Sequence, residues 1–212
     1  PEAISAAVVN FGSIDAAVAA TIKVIRRGIP IARIELLDED SMTAVNAYSG
    51  LNYPVQPTLF LEFIGTEQAV TEQAQMVGEI MQAHGGGDFQ WTTDEAERKK
   101  LWQARYDAYY AALELRPGKT AITTDVCVPI SNLAECIKQT QADLAQSNLT
   151  APLLGHVGDG NFHVILLIDL ENHSEVEEAQ KLNERLVRRA LAMEGTCTGE
   201  HGVGVGKREF LR

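Results

Sequence analysis

The chain has 212 residues, 45% of them apolar and 22% charged, with a formal net charge of −11 and a pI near 4.9. That is ordinary for a globular fold and long enough for one large domain or two small ones. The acidic balance argues against a nucleic-acid backbone as the main partner, because no Lys/Arg excess exists to displace counterions; an anionic substrate has to be met by a local positive site.

The three cysteines, Cys127, Cys136 and Cys197, are odd in number and lack CxxC spacing. They argue against a disulfide framework and for a reducing compartment. No apolar run approaches the ~18 residues of a membrane span. No signal-peptide pattern is present. The chain opens at Pro1 without Met and stops at Arg212 after a Gly-rich segment, so both ends read as cut from a larger protein.

Residues 4–11 read as a strand. Ser13 caps a helix that runs to about Arg27, where Gly28 stops it. Ile31 to Leu37 is a second strand. Asp38 or Asp40 opens a short helix toward Tyr48. Thr58 to Ile64 is a third strand, and a helix follows from Thr66 to near His84. Asp88 to Trp91 is a short strand. Thr92-Thr-Asp-Glu95 is a capping-box signature for the longest helix, from about Asp94 to Leu115, ended by Arg116-Pro117-Gly118. Ala121 to Val128 is a strand, and Ser131 to about Gln146 a helix. Leu153–Val157 and Phe162–Ile168 are hairpin arms, and Ser174 to Glu194 is a helix. Thr196 to Gly206 has no periodicity. The order predicts an α+β fold: a ferredoxin-like α/β sandwich, with duplication an open option, a mixed, largely antiparallel sheet, and helices on one face.

The most informative stretch is His156-Val-Gly-Asp-Gly-Asn-Phe-His163. Asp159-Gly160 signals a two-residue turn. Such a turn sets His156 opposite His163, with Cβ atoms roughly 4.5–5.5 Å apart, so both imidazoles can reach one metal ion. The bland alternative is a turn histidine bonded to a carbonyl. A tight site needs a third ligand. The best place for it is Gly199-Glu200-His201-Gly202-Val203-Gly204-Val205-Gly206-Lys207, whose alternative reading is a flexible loop. It fails the Walker pattern, with His201 and Arg208 where Gly and Ser/Thr are required, and it breaks the GxGxxG pattern. If Glu200 joins the two His, the set is His₂Glu with open positions, and His201 stands beside it as a proton acceptor.

Arg105 shares a helix stripe with Leu101, Trp102, Ala108, Tyr109 and Ala112. It either snorkels to the stripe's edge or meets an anion, such as a carboxylate held bidentately. Arg116 reads as a helix-end charge, and Lys207 and Arg208 as a solvated pair.

Five segments carry a resemblance: Leu101-Trp-x-Ala-Arg105, Arg116-Pro-Gly118, Thr124-Asp-Val-Cys-Val-Pro-Ile-Ser131, Gly155-His-Val-Gly-Asp-Gly-Asn-Phe-His163 and Gly195-Thr-Cys-Thr-Gly-Glu-His-Gly202. With the Ala32–Asp38 strand they resemble the FAD-dependent D-lactate dehydrogenases, grouped with the glycolate oxidase flavoprotein subunit and the D-2-hydroxyglutarate dehydrogenases. The resemblance covers essentially the whole chain. It implies a C-terminal substrate-binding (cap) domain over 1–212, its N-terminal FAD domain lying outside this sequence. It implies His156, His163 and Glu200 as ligands of a divalent Zn or Mn, His201 as base, and Arg105 as anchor of the substrate carboxylate. The implied reaction takes the hydroxyl proton of a D-2-hydroxy acid to His201 and the Cα hydride to FAD. Ile165, two residues after the second His, stands where relatives acting on a dicarboxylate tend to carry Asn, which favours D-lactate.

Implied partners are a small 2-hydroxy acid, a cytochrome, quinone or flavoprotein electron acceptor, and a second copy in a homodimer. The implied location is cytoplasmic or peripheral to the inner membrane in a bacterium, mitochondrial in a eukaryote. The fragment alone should be inactive. Readings from other classes are a stand-alone metal hydrolase and a non-catalytic interaction module.

Overall fold

A computed structural model describes residues 2–211. The strands are β1 (Ala3–Asn10), β2 (Ile31–Leu37), β3 (Thr58–Gly65), β4 (Gln90–Thr92), β5 (Thr120–Thr123), β6 (Val126–Cys127), β7 (Leu153–Gly155) and β8 (Asn161–Ile168). The helices are α1 (Ile14–Arg26), α2 (Glu39–Ser49), α3 (Glu67–Ala83), α4 (Glu95–Glu114), α5 (Leu133–Leu144) and α6 (His173–Ala192). Local chemistry sets several boundaries. Ser13, Thr66 and Asp94 accept from the backbone N–H groups of Ala16, Ala69 and Glu97 at 3.2, 3.1 and 2.9 Å. The cap of α4 is therefore Asp94 and not Thr92, whose hydroxyl instead accepts from the Asp94 N–H.

All strand pairs are antiparallel, in the order β4-β1-β3-β2-β7-β8-β5, with β6 also pairing with β8. The order repeats. β1-α1-β2 and β3-α3-β4 give a ferredoxin-like 4-1-3-2 sheet. β5/β6-α5-β7-β8-α6 gives the same order up to its third strand, and Thr196 bridges to Cys127 at the position a fourth would take. The two halves join edge to edge through β2 and β7, with Leu36 opposite Gly155 and Leu37 opposite Leu154. The expected sandwich is thus present, and duplicated.

Side-chain alternation along the strands divides the core in two. Val9, Leu36, Leu61, Phe63, Phe162, Val164 and Leu166 face α1, α3, α5 and α6. Val8, Leu37, Phe60, Leu154, Ile165 and Leu167 face the other way, onto Met42 and Val45 of α2 and Trp102, Ala108 and Ala112 of α4. Four helices therefore keep the expected single layer, while the α2–α4 pair covers part of the opposite face.

The region between β7 and β8 differs from the tight hairpin read in the sequence. Val157–Asp159 form a 3-10 turn, closed by Gly160 at φ 79°. The longer turn shifts the register, so His163 pairs with Leu154 and not with His156. His156 lies just beyond the end of β7. The expected strand 121–128 also breaks, at Thr124-Asp125, where the Thr124 hydroxyl takes the Val164 N–H at 2.8 Å.

Candidate active site

His163 opens the run of β8 side chains that face α2 and α4 (His163, Ile165, Leu167), because strand side chains alternate. Its ring is buried and its Nδ1 lies 3.0 Å from the Thr124 carbonyl. A carbonyl only accepts, so Nδ1 carries the proton and Nε2 presents a lone pair. His156 reaches the same place from the 3-10 turn. Its Nδ1 is 2.7 Å from Glu35 Oε1, and its Nε2 is 3.2 Å from Glu200 Oε1. The two rings stand 5.8 Å apart, edge to face. The pair expected from the sequence is therefore close, through the turn's reach and not through cross-strand register.

Glu200 Oε1 is also 3.1 Å from His163 Nε2. The angle is wrong for a hydrogen bond, and that buried nitrogen has no hydrogen-bond partner among the described residues. A bare imidazole nitrogen and a carboxylate oxygen at this distance repel unless a cation or proton lies between them. Burial pushes the His163 pKa down, which disfavours the proton. The ligand atoms of His156, His163 and Glu200 all lie within 4.8 Å of one another. An N₂O set with open positions suits a divalent Zn or Mn. The residues fit a divalent metal by their spacing and by the unpartnered His163 nitrogen. Asp125, His163 and His201 also lie close together, but the Asp125 carboxylate already holds four donors, and the His163 nitrogen on its side, Nδ1, is the protonated one.

Those donors hold the glycine-rich loop. Asp125, fully buried, accepts from Asn161 Nδ2 at 2.8 Å, Thr198 Oγ1 at 2.7 Å, and the backbone N–H groups of Glu200 and His201 at 3.0 and 2.8 Å. Burial alone would raise its pKa, yet these donors hold it well below the usual carboxylate range. Glu200 and His201 are thus presented by one anion. The His201 ring stacks on His163 at 4.8 Å and 14°. Lys207 is not the solvated charge expected: its Nζ donates to the Asp125 carbonyl at 3.2 Å. Arg116 likewise does more than end a helix, with two N–H groups on Glu175 and one on the Leu167 carbonyl.

Arg105 meets an anion within the chain. Its Nε and Nη2 lie 3.1 and 3.0 Å from Glu35 Oε2, and Nη1 has no hydrogen-bond partner among the described residues. Burial of Glu35 would push its pKa up, but the His156 hydrogen bond and the charge of Arg105 hold it down. The same Glu35 hydrogen bond pushes His156 up. Sequence reasoning passed over Glu35 and Asp125. The available signal was an ionisable residue inside an apolar strand, Ile34-Glu-Leu-Leu37 and Asp125-Val-Cys-Val128.

These groups surround one cleft of about 300 Å³, lined by Arg105, Tyr109, Thr123, Leu154, His156, His163, Ile165, Glu200 and His201. All five expected site residues are in it. A larger hollow of about 540 Å³ between Tyr53, Trp91 and Lys100 gathers no histidine.

The chain matches the family model of FAD linked oxidases, C-terminal domain, over residues 1–212. It is 51% identical over 212 residues to a probable mitochondrial D-lactate dehydrogenase of Danio rerio, covering all of this chain and 43% of that protein. It is 37% identical to a mitochondrial D-lactate dehydrogenase (cytochrome) of Saccharomyces cerevisiae, covering 100% and 37%. The glycolate oxidase subunit GlcD of Bacillus subtilis is more distant, at 29%, with coverage of 100% and 45%. The chain thus spans less than half the length of these relatives. Among solved structures, 4-ethylphenol oxidase from Gulosibacter chungangensis shares the fold at a TM-score of 0.68 and 13% identity, over 92% of this chain and 45% of that one. By its match over the full length and its identity to the dehydrogenases, the chain belongs to the C-terminal domains of the FAD linked oxidases.

Proposed function

We propose that this domain is the substrate- and metal-binding half of an FAD-dependent D-lactate dehydrogenase, which oxidises D-lactate to pyruvate. The observation that carries the reading is the bare, buried Nε2 of His163 facing Glu200 and His156 across a cleft that also holds Arg105. When bound, FAD, held outside this chain, would take up two electrons with the Cα hydrogen, and a divalent ion on His156, His163 and Glu200 would act as a Lewis acid on the substrate hydroxyl.

The chain's own residues do the rest. The free Nη1 side of Arg105 binds the substrate carboxylate and orients Cα. His201, held by Asp125 and stacked on His163, accepts the hydroxyl proton at a ring nitrogen. Leu154 and Ile165 form an apolar wall that suits a methyl group and offers no donor to a second carboxylate. The same absence weighs against D-2-hydroxyglutarate, and glycolate, with no methyl, gains nothing from the wall. The oxidase family argues against the hydrolase and interaction-module readings. The yeast relative is named for a cytochrome and for mitochondria; we extend both, as acceptor and location, to this enzyme. No helix among the described residues is long and apolar enough to cross a membrane.

The test is steady-state turnover of the full-length enzyme on D-lactate, glycolate and D-2-hydroxyglutarate, before and after chelation. D-lactate should give the highest kcat/KM. Chelation should abolish turnover, and Mn²⁺ or Zn²⁺ should restore it. Preference for the dicarboxylate would overturn the substrate assignment, and full activity in the chelated enzyme the metal assignment.

A further inference from the structure

Glu35 sits on β2 with its side chain 5% exposed, in a strand otherwise occupied at its C-terminal end by buried aliphatic residues. A buried carboxylate is tolerated only when charges and hydrogen bonds compensate for its lost hydration. Here both oxygens are committed, and to different parts of the cleft. Oε1 takes the Nδ1 proton of His156 at 2.7 Å. Oε2 accepts from Nε of Arg105 at 3.1 Å and is in ionic contact with Nη2 at 3.0 Å. The dependence is mutual, since among the described residues His156 Nδ1 and Arg105 have no other carboxylate partner.

We propose that Glu35 is a positioning residue that ties His156, on the metal side of the cleft, to Arg105, on the substrate-carboxylate side. The proposal rests on the reading of the cleft given above. With one proton fixed on Nδ1, the nitrogen that His156 offers to a metal is Nε2, which faces Glu200 and His163. With Nε and Nη2 fixed on Oε2, the planar guanidinium has one edge left, the one bearing Nη1, and its direction follows from the other. A single carboxylate thus sets a tautomer and an orientation at once. It also links three elements that approach one another only in the folded chain: β2, α4 and the turn after β7.

Only a carboxylate satisfies both partners. A glutamine here has one acceptor oxygen and one NH₂ group. Turning the oxygen to His156 sets NH₂ against the Arg105 N–H groups, and the reverse sets it against the Nδ1 proton. Either way two donors face each other, so Glu35→Gln must disturb one partner and weaken its hold on the other.

The experiment uses the full-length flavoenzyme. Wild type, Glu35→Gln and Arg105→Lys are stripped of metal and titrated with Mn²⁺ without substrate, and KM for D-lactate is measured at saturating Mn²⁺. Flavin content and thermal midpoint check the fold. Glu35→Gln should weaken Mn²⁺ binding about 10–100-fold, as loss of a carboxylate behind a ligating histidine does. Its KM should rise about tenfold even when metal is saturating. Arg105→Lys offers Glu35 a single point donor in place of a fork, and should weaken Mn²⁺ binding by about threefold or more although Arg105 touches no ligand atom of the site. A merely structural role would lower the thermal midpoint and leave both constants alone. The proposal is overturned by a folded, flavin-loaded Glu35→Gln enzyme whose Mn²⁺ affinity and KM stay within about twofold of wild type. If Glu35→Gln fails to fold, Arg105→Lys decides alone, and unchanged Mn²⁺ affinity there overturns the coupling. Wild-type enzyme that binds no stoichiometric Mn²⁺ brings down the metal reading first and this proposal with it, which separates the two failures.

Discussion

Replacing Asp125 by Asn tests whether one buried anion holds the loop that carries Glu200 and His201. The change is nearly isosteric, so packing is preserved and only charge and donor–acceptor character differ. In the best orientation the amide oxygen keeps Thr198 and the backbone N–H groups of Glu200 and His201, all of which meet Oδ2. The NH₂ then faces Asn161 Nδ2, the donor now on Oδ1 at 2.8 Å. One charge-assisted hydrogen bond becomes a donor–donor contact, and three others lose their ionic partner. A hydrogen bond to a charged group is worth about 1.5–3 kcal/mol, so a net loss of about 3 kcal/mol is expected. With a urea m-value of about 2 kcal/mol/M, the unfolding midpoint of the 1–212 domain should fall by about 1.5 M. Hydrogen exchange localises the effect, because the Glu200 and His201 amides lose protection more than those of β8. A midpoint within about 0.3 M of wild type, or loss of protection spread evenly over the sheet, would refute the clamp.

Two further changes probe the scaffold. At Gly155 a Cβ would lie 2.5 Å from Phe162 Cα and 2.6 Å from the Asn161 carbonyl, so Gly155→Ala must push β7 from β8. It should cost about 2–3 kcal/mol and lower the thermal midpoint by about 5–10 °C; an unchanged midpoint would show that the close approach is not needed. Burial pushes the Asp38 carboxyl up to about 7, against the pull of the Ser41 and Leu153 N–H groups. Between about pH 4 and pH 7 the folded chain then keeps a proton that the unfolded chain has released. The associated stability is fully present below the unfolded pKa and is lost as the pH rises through 7. Asp38→Asn should flatten that part of the stability profile; parallel profiles for the two proteins would contradict it.

Much of the molecule was legible in the sequence because the signals were local. The cap at Ser13, the helix start at Thr66, the stop at Gly28 and the apolar run of β8 depend on a few neighbouring residues, and the expected elements lie close to the observed ones. The misreadings concern distance along the chain. A two-residue turn at Asp159-Gly160 satisfies every local preference. The chain instead spends Val157–Asp159 on a 3-10 turn because Val157 is buried in the core beneath the sheet, which nothing within eight residues reveals. The roles of Glu35 and Asp125 were hidden for a related reason. Their partners are 70, 121 and 76 residues away, at Arg105, His156 and His201, and a lone acid in an apolar strand does not say which donor it meets. Arg105, left open in the sequence between snorkelling and an anion, meets an anion inside the chain, Glu35.

The duplication explains where the cleft lies. Neither half holds a complete site. His156, His163, Glu200 and His201 all come from the second half, as does the Asp125 that presents the last two. The carboxylate behind His156 comes from β2 in the first half, and Arg105 from α4, the helix that connects the halves. These meet at the β2–β7 seam, along which the repeats touch edge to edge. A seam suits such a site physically. Two strands that end on different loops bring groups remote in sequence into contact, while ladder bonds such as Leu36 with Gly155 fix their relative height. A slip of one residue between β2 and β7 would carry the His156 turn about 3.4 Å along β2, enough to break the 2.7 Å contact between His156 Nδ1 and Glu35. The register of that short pairing is therefore part of the active-site geometry.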